Sequence, residues 1–475
     1  MRKYIGQAMR RIIGTAQATI DTIEPGSIMV SPRKPIDFED EAAITEILDL
    51  STKIGAVLLD SGTAAIDTQE QIRFVAGVYG LENVEVDVTY NKIMVLARRG
   101  NNLPPVSTMR QVYYRSMDFT RLAQVDRLVR RIRDMALSPA TAHRIVNEIV
   151  SAPHPYPHWV ATLAWGVMAS SVAVLLGGGF VVGVIALLTT MVIVVVNRFL
   201  NRIGTPMFFQ QVSGGFIAVV PAALMFAAAP TLGIDFVPSQ IIASGMVVLL
   251  AGLSLVGSVE DAITGAPITG VARFFELLLM TGGIIAGVSM AIRLLETVGI
   301  YLPTVTATTD FGFVDAPARV IAGGVAAATF ALASYAELRA LPVAWAAGAI
   351  GIAVVVVANQ LTAGAIIASS IAATGTGLFG GLLARRALTP PLVVAVAGIT
   401  PLLPGLAVYT GLYGILNDQS LVGFTSLASA FAIGCALAAG VTLGEFVARA
   451  LRRPHIPHRP DWNLRPAWMQ RTKHE

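Results

Sequence analysis

Four charged side chains lie close together in a stretch that long apolar runs flank on both sides. Glu260 and Asp261 are adjacent carboxylates, and Arg273 and Glu276 follow within the same stretch. A carboxylate in a poorly hydrated site can carry a proton, and a nearby arginine can bind a carboxylate through two parallel hydrogen bonds. These residue types therefore indicate proton transfer at Asp261 and recognition of a substrate carboxylate by Arg273.

The segment 256–276 that carries these charges also contains residues that break or loosen a helix, namely Gly257, Gly265, Pro267 and Gly270. A charge near the middle of a bilayer costs roughly 2.5–3.5 kcal/mol on insertion scales. Two interpretations are open. Either the segment is a loop whose charges are solvated, or it is a broken helix that brings the carboxylates and the arginine together beside a substrate or proton path.

The composition is that of a helical membrane protein with several spans. Of the 475 residues, 54% are hydrophobic and only 13% are charged, and the mean hydropathy is +0.67. Such values predict a polytopic α-helical protein in a lipid bilayer, beside a soluble part. The net charge of +4 is not arranged as basic patches interleaved with aromatic residues, which argues against nucleic acid as a partner.

An N-terminal α+β domain is expected over residues 38–152, after a tail of residues 1–37 that could form a short amphipathic helix or stay disordered. Apolar periodicity and turn residues define its elements. They are helices from Glu39 to Gly62 and from Thr68 to Gly80, strands Val84–Thr89, Lys92–Ala97 and Gln111–Arg115, and helices near 120–136 and 139–151. Asp67 or Thr68 is the expected cap of the second helix.

A hydrolase in this domain is the alternative function, because Asp60, Ser61 and His143 are residue types that hydrolases use. No nucleophile elbow, metal-ligand spacing or phosphate loop accompanies them. The end of a helix explains Asp60 and Ser61 better, and His143 fits a solvated or interfacial position. The sequence therefore predicts no enzyme, no cofactor and no metal site.

Ten apolar segments follow the proline-rich joint at residues 153–159 and predict ten transmembrane helices. They lie near 159–177, 180–197, 209–229, 240–258, 269–292, 318–336, 342–358, 361–384, 391–416 and 422–448. The long loop 294–317 divides them into halves at 153–293 and 318–450, with a tail at 451–475. Because each half has an odd number of spans, the second must enter the membrane upside down, which predicts two inverted five-helix halves, a common plan of secondary transporters.

Arginines set the expected orientation, because cytoplasmic loops carry an excess of positive charge. The arginines that fall on one side are Arg198, Arg202, Arg339, Arg385, Arg386, Arg449, Arg452 and Arg453. The N-terminal domain and both termini are therefore expected in the cytoplasm, with the loop 294–317 outside the cell and the protein in the inner, or plasma, membrane. Glu445 lies near the same side and is expected at the membrane interface.

A second helix-breaking motif lies in the fourth span of the second half. Pro401 and Pro404 must interrupt helical hydrogen bonds there, and Gly405 and Tyr409 follow them. A proline kink with only a packing role is one explanation. The segment 256–276 lies at the end of the fourth span of the first half, and this matched placement favours a binding site that both motifs share.

Several segments, taken in this order, carry a family resemblance. They are Leu58–Thr63, Ile72 with Tyr79–Val86, Pro155–Trp159, Glu260–Gly265 with Gly270–Arg273, and Leu403–Gly405 with Tyr409. With them the chain resembles the threonine/serine exporter family, often called ThrE, in its fused actinobacterial form, over about residues 40–450. Many relatives have Pro-Gly before the first acidic motif, where this chain has Val256–Ser258.

The resemblance implies export of threonine and serine in exchange for protons. Related split proteins are thought to export a dicarboxylate, so a small dicarboxylate is an alternative cargo, and a passive channel is a third possibility. The chain could also form a homo-oligomer. In the exporter hypothesis Asp261 couples protons and Arg273 binds the substrate carboxylate. The residues expected to complete the translocation site are Glu260, Glu276, Pro404, Gly405 and Tyr409.

Overall fold

The computed structural model describes most of the chain between residues 37 and 452. The described ranges are 37–99, 103–112, 117–135, 137–233, 237–249, 252–303, 316–361, 364–383, 389–416 and 419–452. The expectations for the N-terminal tail and the C-terminal tail fall almost entirely outside these residues, as does much of the expected outer loop.

The N-terminal domain combines a small antiparallel sheet with four helices. Its elements are α1 (Glu41–Asp60), α2 (Ala65–Val78), β1 (Val84–Thr89), β2 (Lys92–Ala97), β3 (Val106–Gln111), α3 (Phe119–Met135) and α4 (Pro139–Ser151). The strands pair in the order β1-β2-β3, with Val86 opposite Val95 and Val95 opposite Thr108. The α+β expectation, the β1–β2 hairpin and the four helices are confirmed.

The third strand is the element that the sequence placed wrongly. The expected strand was Gln111–Arg115, but β3 ends at Gln111, and residues 113–116 lie outside the described part. The strand starts directly after two prolines, and Val106 faces the core opposite Ala97. Its polar side chains hide the period-2 pattern, so only pairing with β2 defines its position.

The membrane part contains helices at nearly all the expected positions. In order they are α5 (His158–Leu175), α6 (Phe180–Arg202), α7 (Met207–Leu232), α8 (Pro238–Leu249), α9 (Gly252–Thr264), α10 (Pro267–Thr297), α11 (Ala316–Ala333), α12 (Leu341–Gln360), α13 (Gly364–Leu383), α14 (Pro391–Ile399), α15 (Gly405–Leu416) and α16 (Ser420–Arg452). Within the described residues, eight helices are long and apolar enough to span a membrane. The number reaches ten if each of two bent pairs is one span, which confirms an α-helical polytopic fold.

The two bent pairs occupy equivalent places in the chain. α8 and α9 meet at an angle of 47°, and α14 and α15 meet at 45°. Each pair is the fourth span of its half. The sequence located the second bend, at Pro401 and Pro404, because proline acts on the local backbone whatever the tertiary context. It did not locate the first bend, which lies between Leu249 and Gly252, before the segment 256–276. The break that this segment does contain is the turn at Gly265, which separates α9 from α10.

The same spans pack together in both halves. α7 packs against α10 and α5 against α6, and in the second half α13 packs against α16 and α11 against α12. In each half, the first part of the bent span, α8 or α14, contacts the first three spans of that half. The second part, α9 or α15, contacts the fifth span. The recurrence indicates two copies of one five-span arrangement, whereas their inversion in the membrane stays a prediction.

Glycines bring the third and fifth spans of the first half into close backbone contact. A Cβ on Gly283 would lie 2.7 Å from the carbonyl oxygen of Phe208, and one on Gly287 would overlap the carbonyl oxygen of Val212. The two glycines are one helical turn apart, so they form a continuous notch on α10 that receives α7.

The second half repeats this contact residue for residue. A Cβ on Gly440 of α16 would lie 2.5 Å from the carbonyl oxygen of Ser370, and one on Gly444 would overlap the carbonyl oxygen of Thr374 on α13. Apolar side chains provide little driving force for association inside lipid, so close backbone approach through small residues stabilises such helix pairs. Corresponding pairs of glycines therefore stabilise the contact between the third and fifth spans in each half.

One apolar core joins the N-terminal domain to the membrane helices. Phe119 of α3 packs edge-on against Phe330 of α11, with ring centroids 6.2 Å apart, and Trp165 of α5 packs against the same ring at 5.6 Å. The backbone N–H of Phe119 donates to the carbonyl oxygen of Ser334 at 3.0 Å. The domain is therefore docked on the membrane part through a shared core.

The glycine notch generates a stability prediction. Gly287→Val should lower the free energy of unfolding by about 1–3 kcal/mol, because the new side chain overlaps the α7 backbone. Gly282→Val on the same helix meets open space and is the matched control. Thermal unfolding in one detergent compares the two variants. Equal unfolding temperatures would contradict the packing described here.

Candidate functional site

Asp261 and Arg273 form an ion pair inside the protein. α9 ends at Thr264, and Gly265 has φ = +110°, a conformation that glycine adopts without strain. Pro267 then begins α10. This turn brings Arg273 Nη1 to 2.5 Å from Asp261 Oδ2. The side chains are only 6% and 0% exposed, respectively, so the solvated-loop interpretation is wrong for both residues.

The other oxygen of the same carboxylate binds the N-terminal domain. Asp261 Oδ1 accepts a hydrogen bond of 2.9 Å from the backbone N–H of Ala65, the first residue of α2. The positive end of a helix dipole favours a carboxylate at this position. The preceding residue, Ala64, provides no side-chain cap. Asp261 therefore caps α2 from a distant part of the chain.

This contact explains an error in the sequence analysis. The expected cap of the second helix was Asp67 or Thr68, but α2 begins earlier, at Ala65. The Thr68 hydroxyl instead donates to the carbonyl oxygen of Ala64 at 2.9 Å, inside the helix. When the capping side chain comes from a distant part of the chain, the local sequence shows only that the residue before the helix cannot cap it.

The turn between β1 and β2 makes a second contact with the start of α10. The backbone N–H of Tyr90 donates to Thr269 Oγ1 at 3.0 Å, and the hydroxyl of Thr269 donates to the carbonyl oxygen of Val88 at 3.4 Å. The Tyr90 hydroxyl donates to Glu276 Oε2 at 3.2 Å. Tyr90 has φ = +56°, which is uncommon for a residue other than glycine. Glu276, expected in the translocation site, thus lies at the contact with the N-terminal domain.

A cleft of about 100 Å³ lies between the N-terminal domain and the membrane helices. α2 and α3 form one wall, and α9 and α16 contribute to the other. Its charged lining residues are Asp67, Glu70, Asp126, Glu260, Glu445 and Arg449. Among the described residues that line the cleft, five carboxylates accompany one arginine, and this excess of negative charge attracts positively charged groups.

The pKa of Glu70, on the domain side of the cleft, responds to this negative environment. Burial raises the pKa of its carboxyl group, and the charge of Asp67 raises it further, while Arg449 and Arg73 act in the opposite direction. Asp126 is paired with Arg130 on the same helix. A cationic group entering the cleft would therefore be stabilised by carboxylates that repel one another in its absence.

The second-half motif lies against the bend of the first-half span. A Cβ on Gly405 would overlap the side chain of Val247 and lie 3.2 Å from the carbonyl oxygen of Ala243. Only glycine therefore lets α15 approach α8 so closely. Tyr409 is 1% exposed, and its ring centroid lies 6.1 Å from that of Tyr413. Both tyrosines belong to the apolar core around α8.

The expected site residues thus form two groups along one bent span. Gly405, with Pro404 just before it, contacts α8 near the bend, whereas Asp261 and Arg273 lie where α9 meets α10. At 1.5 Å per residue, Val247 beside Gly405 and Asp261 at the junction are separated by roughly 20 Å along the helices. Glu260 lies beside the second group and lines the acidic cleft. The sequence did not identify Ala65, the Tyr90 turn or the cleft itself.

His143 is held in a structural network of the N-terminal domain. Its Nε2 lies 2.7 Å from Asp49 Oδ2, and its Nδ1 faces the Asn147 amide at 3.5 Å. Burial alone would raise the pKa of the Asp49 carboxyl, but hydrogen bonds from His143 and Arg110 together with their charges lower it. Both ring nitrogens of His143 thus face groups that are not nucleophiles, which gives the hydrolase alternative no support.

Comparisons with known proteins find matches over most of the chain. A family model described as "Putative threonine/serine exporter" matches residues 49–295, and one described as "Threonine/Serine exporter, ThrE" matches residues 319–447. The chain is 47% identical over 425 residues to the "Threonine/serine exporter" of Corynebacterium glutamicum, covering 89% of this chain and 87% of that protein. It is 38% identical over 419 residues to the "Probable threonine/serine exporter" of Mycobacterium tuberculosis, covering 87% and 78%. No solved structure shows a significant match.

The buried ion pair generates a second prediction. Arg273→Gln should lower the free energy of unfolding by about 3–5 kcal/mol, because it leaves the Asp261 carboxylate without its cation in a buried place. Adding Asp261→Asn should recover part of the loss. Thermal unfolding of the single and double variants measures this coupling.

The matched control is Arg293→Gln on the same helix. Arg293 pairs with Glu296 at 3.0 Å, but its side chain is 72% exposed, and surface pairs contribute at most about 1 kcal/mol. If Arg273→Gln and Arg293→Gln lowered the free energy of unfolding equally, the buried ion pair at Asp261 would contribute no more to stability than the exposed pair at Glu296.

Proposed function

The chain belongs to the threonine/serine exporter family, and from this premise we propose that it exports threonine and serine across the plasma membrane in exchange for protons. The family is one of transporters and not of enzymes. Within it, the chain is a multi-pass membrane protein with an exporter role. The observation that carries the finer proposal is the buried ion pair of Asp261 and Arg273 at the junction of α9 and α10.

An amino acid carries the same two charges as this ion pair. Its carboxylate can bind the guanidinium of Arg273, and its ammonium group can bind the carboxylate of Asp261. A zwitterion can therefore insert between the two side chains and replace their direct contact without leaving either charge unpaired. This exchange avoids the large penalty of an isolated buried charge.

The same geometry accounts for antiport. The Asp261 carboxylate can hold either a proton or the substrate ammonium group, but not both at once. Protonation of Asp261 removes the acceptor of the ammonium group and releases the substrate. Substrate and proton thus compete for one carboxylate. If this carboxylate is exposed alternately to the two sides of the membrane, the competition results in exchange of substrate for protons.

The acidic cleft supports an amino acid as cargo more than a dicarboxylate. Within the part of the chain that the structure describes, five carboxylates and one arginine line it. This excess of negative charge attracts an ammonium group and repels a dianion. Because Glu260 lines the cleft next to Asp261, the cleft is a suitable entrance to the ion pair for a zwitterion.

The proposed orientation places the N-terminal domain in the cytoplasm. The domain binds the membrane part next to Arg339 and Arg449, on the arginine-rich side of the spans. An excess of arginine marks the cytoplasmic side. The acidic cleft then opens toward the cytoplasm, the side from which an exporter takes its cargo.

Asp261→Asn should abolish the coupling of export to the proton gradient. The amide keeps the shape of the carboxylate, and its oxygen can still accept the N–H of Ala65, but it can no longer exchange a proton. In liposomes loaded with labelled threonine, an imposed pH gradient should accelerate efflux through the wild-type protein and should leave efflux through the variant unchanged.

Glu296→Gln is the control, because this carboxylate lies on α10 but pairs with Arg293 instead of with Arg273. It should respond to the gradient as the wild type does. Gradient-driven efflux through Asp261→Asn would show that another group couples protons. Failure of the wild type to move threonine or serine, with transport of a labelled dicarboxylate, would assign the alternative cargo.

A further inference from the structure

We propose that the N-terminal domain is a hinged clamp that opens and closes in each transport cycle. An apolar anchor holds it to α5 and α11, and a polar latch holds it to the junction of α9 and α10. The anchor is defined by Phe119, Arg127, Phe330 and Glu337, and the latch by the contacts of Ala65 and Tyr90 with α9 and α10. The proposal rests on the proposed function, since it takes Asp261 as the residue that binds substrate and proton.

The anchor is extensive and apolar. The core of the domain continues without interruption into α5 and α11, through Phe119, Phe330 and Trp165. At its edge, the two terminal guanidinium nitrogens of Arg127, Nη1 and Nη2, donate to the Glu337 carboxylate at 3.2 and 2.6 Å. Separating such a surface exposes apolar area at about 25 cal/mol per Å², so the anchor is the part that stays closed.

The latch is small and polar. Among the described residues, its hydrogen bonds include the Ala65 N–H on Asp261, the Tyr90 N–H on Thr269, the Thr269 hydroxyl on the Val88 carbonyl oxygen, and the Tyr90 hydroxyl on Glu276. The second core of the domain, around the sheet, reaches the membrane part only through Ala266 among the described residues. A hydrogen bond contributes a net stability of about 0.5–1.5 kcal/mol, because water can replace either partner. The latch can therefore open while the anchor holds.

The latch and the ion pair share one carboxylate. Asp261 Oδ1 binds the N-terminus of α2, and Oδ2 binds Arg273. A proton or a substrate ammonium group on Asp261 neutralises the charge that attracts the α2 N-terminus. Occupation of the site therefore weakens the latch, and its release widens the acidic cleft that lies between the domain and the membrane helices.

A reversible cross-link across the latch tests this motion. The single native cysteine is first removed by Cys435→Ala. Thr89→Cys and Thr269→Cys then place two thiols across the latch, because both neighbours of Thr89 contact Thr269 through their backbone. A short bis-methanethiosulfonate reagent joins the thiols, and a reductant releases them. Cross-linking should lower threonine efflux at least about tenfold, and reduction should restore it.

Two further pairs serve as matched controls. Arg127→Cys with Glu337→Cys cross-links the anchor, and Asp87→Cys with Met94→Cys cross-links two directly opposed strand residues within the domain. Both should leave efflux within about twofold of the reduced protein, because neither spans a moving contact.

The outcomes separate the clamp from the transport function. Normal efflux through the latch-linked protein would overturn the clamp while the exporter function stands. Inhibition by the anchor cross-link alone would overturn the proposed position of the hinge. If the Cys435→Ala protein without a cross-link moved neither threonine nor serine, the proposed function itself would fail.

Discussion

The arrangement around Asp261 depends on one requirement, that a fully buried carboxylate must be surrounded by groups that stabilise its charge. Arg273 and the N-terminus of α2 meet this requirement from two sides. To deliver the arginine, the chain must turn at Gly265 between α9 and α10. To deliver the helix N-terminus, the N-terminal domain must dock on the membrane helices. A single carboxylate thus connects the broken span, the position of α10 and the placement of the soluble domain.

The glycine notches supply the rigidity that this site needs. Gly283 and Gly287 hold α10 against α7, and α10 carries Arg273. In lipid, such close backbone contacts replace the hydrophobic driving force that orders a soluble core. The helix that bears the arginine is therefore fixed by packing that does not involve the charge itself, and the ion pair can open without loosening the membrane part.

The parts of this architecture that local sequence encodes were predictable. Apolar runs located the spans, and glycine and proline located the turn at Gly265 and the second bend, because these signals act within a few residues. The bend between α8 and α9 lies before the segment 256–276 and was not located. The pairing of Asp261 with Arg273 was a hypothesis that the helix break made geometrically plausible. The start of α2 at Ala65, the Tyr90–Glu276 contact and the acidic cleft were not predictable, since each depends on residues that tertiary structure brings from distant parts of the chain. The predicted position of β3 was wrong for the same reason, because the position of this strand depends on its pairing with β2.

The two halves share a scaffold but not a chemistry. Gly283 and Gly287 have counterparts in Gly440 and Gly444, and both halves bend their fourth span. The sequence that follows the second bend, residues 405–430, contains no arginine or lysine, so the ion pair has no counterpart there. In the predicted inverted arrangement, the charged junction and its clamp then lie on one face of the membrane and a nearly uncharged junction lies on the other. In the proposed transport cycle, the two similar halves would provide the two alternative openings, and the charge carried by only one half would make the two openings unequal.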